Sequence, residues 1–213
     1  MDLGEWGLVV VDLQRYYVDP TASFVTFFES IHPGASHYVS QRCHEVVVPR
    51  LRKVVQRTRE LGRPVIYLRL CGTLEDRTDL HRHFLKCYRE ALEAGFPALY
   101  PLAGEPLAEV LSEVAPVAGD HVLDKTTYSG FTSSRIESLL RELKLERLVM
   151  TGLATSQCVE TTARDASDRG FGIVHLEDCQ ADYHEVSHRA SLFASRSVCG
   201  GHVWSSQEFL EAL

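Results

Sequence analysis

Six short runs of β-prone residues punctuate the chain, at Gly7–Val11, Pro64–Leu70, His121–Leu123, Arg147–Met150, Gly172–Leu176 and His202–Trp204. Several are apolar throughout rather than alternating, the pattern of strands covered on both faces. Between them the apolar period lengthens to that of helices. Val47, Leu51, Val54, Thr58 and Leu61 recur every three or four residues and are closed by Gly62 and Pro64. Ser134-Arg-Ile-Glu137 reads as a capping box ahead of Leu139, Leu140 and Leu143. Val159, Ala163 and Ala166 give a further helix a face of small residues, ending at Gly170. Alternating strands and helices predict an α/β fold, with a parallel sheet covered by helices on both sides.

Two stretches resist this reading. Tyr16–Gln41 is aromatic and has no clear period, and Thr73–Gly104 mixes charges around one helix expected at Phe84–Glu93. Long excursions after strands are where α/β proteins build binding sites. With no repeat and no linker, residues 1–213 read as one domain.

Charge and cysteines narrow the partners. The net charge is −7, with no block of like charges, which points away from nucleic acid and anionic membranes. No apolar run approaches the length needed to cross a bilayer. Acidic Asp2 and Glu5 stand where a secretory signal has a basic segment, so a cytoplasmic location is expected. The six cysteines (Cys43, Cys71, Cys87, Cys158, Cys179 and Cys199) form no C-x-x-C pair and read as free thiols.

Ligands of open α/β sheets bind beyond the carboxyl ends of the strands. Asp12 follows the first strand, Lys125 the third, and Cys158 the fourth, near the start of a helix. The positive end of a helix dipole favours thiolate over thiol, so Cys158 is a candidate nucleophile. Asp12 then suits a general base that later acts as acid, and Lys125 a cation that holds the developing charges. Attack by the thiol on a carbonyl carbon gives a thioester for water to cleave. The bend at Gly152–Ser156 is placed to aim backbone N–H groups at the oxyanion.

In VVVDLQ, KTTYSGF and TGLATSQCVETTARDASDRGF the chain resembles the isochorismatase-like cysteine hydrolases, the superfamily of nicotinamidases and of carbamoyl-amide and ureide amidohydrolases. The resemblance runs from Leu8 to about Trp204. It implies a three-layer α/β/α fold with a six-stranded parallel sheet of order 3-2-1-4-5-6, and an Asp12, Lys125, Cys158 triad. It further implies a cis peptide between Leu153 and Ala154, an oxyanion hole from the Ala154 and Cys158 N–H groups, and a homodimer or homotetramer. Isochorismatases proper cleave a vinyl ether without a cysteine here, so Cys158 favours C–N cleavage. Nicotinamidases carry a metal site with Asp-x-His after the second strand. Here that strand ends in Arg69-Leu-Cys-Gly-Thr, so no metal and no cofactor is expected.

The activity expected is therefore hydrolysis of a small linear amide, ureide or carbamoyl compound, releasing ammonia or an amine. The alternatives are a vinyl ether hydrolase or an idle scaffold with this fold. Gln14, Tyr17, Phe24, Tyr128 and Phe131 are candidate pocket residues, Phe131 because the resemblance implies it. Arg69 is open between binding a substrate carboxylate and forming an ion pair. Asp79, His81 and His83 are the best metal candidates, although a solvated or ligand-covering face fits them better. His184 and His188 lack the His-Glu-x-x-His order and read as surface or interface residues. The first strand meets no glycine-rich turn, which excludes a dinucleotide site. The aromatic Tyr16–Phe28 stretch and the apolar Phe209–Leu213 end are expected to need cover from a second copy.

Overall fold

Every second residue of the first strand, β1 (Trp6–Val11), faces one of two separate cores. Leu8 and Val10 pack with Leu51 and Val54, while Val9 and Val11 pack with Ile136, Leu140 and Ala163 on the opposite side. A strand buried on both faces has no polar position to alternate, which explains its unbroken apolar sequence. The computed structural model that shows this describes residues 3–97 and 99–213, with Ala35 described by its backbone alone. Asp2, one of the two acidic residues noted near the start, lies outside the described residues.

The other strands are β2 (Val65–Leu70), β3 (His121–Lys125), β4 (Arg147–Leu153), β5 (Gly172–Ala181) and β6 (His202–Trp204). All neighbours pair in parallel, in the order 3-2-1-4-5-6. The chain builds outward from β1 to β3, then returns to lay β4 on the other side of β1. The carboxyl ends of β1 and β4 thus form the switch point where such sheets open a crevice. Both β4 and β5 outrun the strands expected from sequence. Glu177 and Asp178 interrupt the apolar run of β5, but Asp178 is spoken for, accepting hydrogen bonds from the Ser206 N–H and hydroxyl at 2.7 Å each.

Tyr16–Gln41, which showed no period, is helical. It forms α1 (Arg15–Val18), α2 (Ser23–Ile31) and α3 (Ala35–Arg42), the last running through a π-helical turn (Cys43–Val47) into α4 (Val48–Glu60). The first pieces span one to three turns, too short to display a repeating face. Their aromatic residues are covered within the chain: Tyr16 and Phe24 meet edge to face at 5.4 Å and Phe27 is buried. Phe209 is also fully buried, 5.2 Å from the Trp6 ring. Phe28, Leu210 and Leu213 of these stretches pack against the core but stay partly exposed.

Helix α5 (Arg82–Glu93) follows β2, and α6 (Gly130–Ser133) and α7 (Ile136–Glu142) follow β3. The capping box at Ser134–Glu137 does not form. Ser134 donates to the Gly130 carbonyl at 2.7 Å, closing α6, and Arg135 caps α7 without a side-chain bond. The remaining helices are α8 (Glu160–Asp168), α9 (Glu185–Val198) and α10 (Ser206–Glu211), and α10 carries a complete capping box between Ser205 and Glu208. Among the described residues no helix is long and apolar enough to cross a membrane.

Candidate active site

At Gly152, β4 comes so close to β1 that a Cβ would lie 2.0 Å from the Val11 carbonyl oxygen. The residue also has φ +103, so only glycine fits. This approach sets the next segment, Ala154 and the π-helical turn Thr155–Val159, beside Asp12. Asp12 itself has φ +48, a left-handed conformation that Asp tolerates better than most residues.

The structure brings Asp12, Lys125 and Cys158 together although they are far apart in sequence. The Lys125 ammonium donates to Asp12 Oδ2 at 2.7 Å, to the Thr127 carbonyl at 3.0 Å, and to Cys158 Sγ at 3.3 Å. An ammonium has three donors, and here each has a partner. All three residues are buried, and Asp12 Oδ1 is left without a hydrogen-bond partner. Burial raises the Asp12 carboxyl above its usual range despite the pull of Lys125. Burial, reinforced by the charge of Asp12, also pushes the Cys158 thiol up. Lys125 resists the downward pull of burial, because the charges of Asp12 and Cys158 hold its proton. Burial therefore works against the thiolate that the helix dipole and the Lys125 ammonium favour.

The turn bearing Cys158 is pinned by a second polar set. Asp182, just past β5, accepts the Ser156 N–H at 2.6 Å, and the Ala154 carbonyl accepts the N–H groups of Gln157 and Val159 at 3.0 and 3.3 Å. Arg42 Nη2 lies 3.1 Å from His188 Nε2. A guanidinium can only donate, so Nε2 accepts and the ring proton sits on Nδ1. That proton bonds Thr155 Oγ1 at 2.8 Å, and the Thr155 hydroxyl donates to the Ala181 carbonyl at 3.1 Å. Burial and then Arg42 push His188 from its ordinary 6.5 down to about 4. His188 is thus a buried support of the turn and not a surface residue.

A cavity of about 250 Å³ opens against this turn, with Gln157 in its lining. Tyr17, Phe24 and Phe28 come from α1 and α2, Phe84 from α5, and Tyr100, Tyr128 and Tyr183 from the connecting segments. The rings pack on one another, Phe84 against Tyr128 at 4.4 Å and Phe24 against Tyr100 at 5.7 Å. Three exposed histidines, His32, His83 and His184, edge the opening. The phenols of Tyr17, Tyr100, Tyr128 and Tyr183 all lie within electrostatic reach of the Cys158 sulfur.

Of the expected pocket residues, Tyr17, Phe24 and Tyr128 line this cavity and three do not. Gln14 is buried as a clamp, its amide bonding the Leu70 N–H and the Ala108 carbonyl. Arg69 is held by Asp124 and Glu109, both at 2.8 Å, which resolves its open choice as an ion pair. Phe131 turns away to Phe171 and the Arg169 guanidinium. The peptide between Leu153 and Ala154 is trans, like every other among the described residues, so the expected cis bond is corrected. Asp79 is spent on Thr73, and His81 accepts the His83 N–H at the start of α5. Among the described residues no cluster of His, Cys, Asp and Glu could hold a metal. Sequence reasoning missed Gln157 and Tyr183, both just past strand ends, where the rule that found Asp12 applied equally. Phe84 and Tyr100 offered no such signal.

This fold and this crevice define the class. The isochorismatase domain model matches residues 7–208, and the chain belongs to the isochorismatase family. Among relatives, it is 43% identical over 100 residues to the ureidoacrylate amidohydrolase RutB of Variovorax paradoxus, a stretch covering 44% of this chain and 38% of that protein. Against the ureidoacrylate amidohydrolase RutB of Stutzerimonas stutzeri identity is 31% over 215 residues, covering 94% of this chain and 79% of the relative. In the first two relatives the matched stretch spans less than half of their length. The fold is shared with an isochorismatase family protein from Desulfovibrio vulgaris, at a TM-score of 0.80 and 20% identity, covering 98% of this chain and 97% of that one.

Proposed function

We propose that the chain is a cysteine amidohydrolase that cleaves the C–N bond of a small linear amide, ureide or carbamoyl compound. The observation that carries this reading is the buried ammonium of Lys125 bridging Asp12 Oδ2 and Cys158 Sγ. The names of the relatives, ureidoacrylate amidohydrolase among them, support the same bond type.

In this reading Asp12, its basicity raised by burial, takes the thiol proton through its unpartnered Oδ1. Cys158 Sγ attacks the carbonyl carbon, and the electron pair of the C=O bond moves to oxygen, facing the N–H groups of Ala154 and Cys158. As the tetrahedral adduct collapses, Asp12 returns the proton to the departing nitrogen, and ammonia or an amine leaves. Water, deprotonated by Asp12, then cleaves the thioester, and the proton goes back to sulfur. Lys125 stays charged throughout and holds base and nucleophile in register. A vinyl ether hydrolase or an idle scaffold would leave the thiol without a task, so the thiol contact argues for amide chemistry over both.

The test is ammonia release from a panel of amides and ureides, with intact-mass detection of an acyl adduct on Cys158. Undiminished turnover in Cys158→Ala would sink the covalent route. The reading also places the protein in the cytoplasm, where its six free thiols would stay reduced. A homodimer or homotetramer belongs to the same proposal. The exposed Val186 and Phe193 of α9 are its best contact residues, and light scattering that gives only monomer mass removes it.

A further inference from the structure

The cavity that opens at Gln157, next to Cys158 in the chain, is walled by aromatic rings, and among the described residues its lining contains no lysine, arginine or carboxylate. Lys125 has all three donors occupied by Asp12, Thr127 and Cys158, and buried Arg77 spends its guanidinium on the carbonyls of Tyr100, Leu74 and Glu75. Arg69, near the carboxyl end of β2, is neutralised by Asp124 and Glu109. From these observations we infer, building on the amidohydrolase reading, that the site takes an uncharged amide or ureide with an apolar substituent and discriminates against carboxylate-bearing ones.

The physical case has three parts. An aromatic ring presents a negative face, so a cage of rings repels an anion while it welcomes apolar groups. A carboxylate moved from water into such a cage loses its hydration and finds no cation to replace it. The wall does offer hydroxyls, those of Tyr17, Tyr100 and Tyr183, which burial keeps protonated far above neutral pH. Neutral hydroxyls match the carbonyl and N–H of an amide or ureide, but do not balance a full charge. At about 250 Å³ the cavity lies below the usual range for drug-sized ligands, which limits the substituent to a short chain or a single ring. This separates the chain from relatives whose name, ureidoacrylate amidohydrolase, specifies a carboxylate.

The experiment uses matched pairs that differ by one carboxylate: crotonamide with fumaramate, and benzamide with 4-carbamoylbenzoate. Turnover is measured with the native chain, and binding by calorimetry with Cys158→Ala. Protection of the native Cys158 from iodoacetamide gives a binding readout that does not depend on the variant. The neutral member of each pair is expected to win by at least thirtyfold in kcat/KM and in binding at pH 8, and to protect the thiol. Neutral binding and protection without turnover would uphold the substrate class while removing the amidohydrolase reading. Equal or better handling of the acids overturns the inference, as does failure of both members to bind. A preference for the acids at pH 6 also overturns it.

Discussion

The two sides of the cavity are built on opposite principles. The side formed by the Gln157 turn is backed by a lattice of directional bonds: Lys125 spends three donors, Asp182 holds Ser156, and the chain from Arg42 through His188 and Thr155 ends on the Ala181 carbonyl. The facing side is a stack of rings from short helices and loops, whose contacts tolerate small changes of angle and partner. Directional bonds fix atoms to fractions of an ångström, whereas ring packing fixes a volume. The difference suggests that chemistry is set on one side and substrate choice on the other, and that each side should fail in its own way when altered.

The sharpest contrast comes from the nucleophile. Cys158→Ala is expected to lower kcat by at least about a thousandfold, about 4 kcal/mol of barrier, with folding intact by circular dichroism. Next is the approach of β4 to β1. Gly152→Ala places a methyl against the Val11 backbone and is expected to cost at least about 4 kcal/mol in urea unfolding, or to prevent folding. Gly62→Ala, at φ +65 with open space around it, is expected to cost only about 1–2 kcal/mol. Similar losses at the two positions would refute the close-approach argument.

Acid should loosen the bonded side next. His188, and the buried His175 of β5, 2.7 Å from the Ser195 hydroxyl, are each depressed from 6.5 to about 4 by burial. Between those values the unfolded chain takes up protons that the folded chain refuses, so stability is full above about pH 6.5 and declines as pH falls to about 4. The expected loss is up to about 3 kcal/mol for each histidine, read from urea midpoints across that window. His188→Leu should flatten part of the slope, and an unchanged slope would show that His188 does not contribute. On the ring side, Phe24→Leu is expected to raise KM about three- to tenfold while kcat stays within about twofold. A collapse of kcat there would erase the distinction between the two sides. Arg69→Gln, outside both, should leave kcat/KM within about twofold.

The bonded side was the more legible in sequence. Asp12, Lys125 and Cys158 end or follow strands whose apolar runs are unmistakable, and the strand-end rule places them together. The supports were not legible, because His188 reaches Thr155 across 33 residues through a fold-dependent contact. At Ser134 the hydroxyl closes α6 by donating to the Gly130 carbonyl and accepts the Ile136 N–H at 3.2 Å, one residue short of the Glu137 N–H that a capping box requires. The ring side was half visible: Tyr17 and Phe24 came from an evident aromatic cluster, but its short helices had no room to show a period. Phe84 and Tyr100 enter the wall from a connection whose course no local pattern dictates.

The contact of Gly152 with Val11 joins positions that ribosomal synthesis separates by more than half the chain. Until β4 docks beside β1, the base and the nucleophile of the proposed mechanism lie apart. On the proposed mechanism a nascent chain would therefore be inert toward amides. The cluster of Asp12, Lys125 and Cys158 comes into being only with the last half of the sheet, so on that mechanism competence arrives at the moment the fold closes.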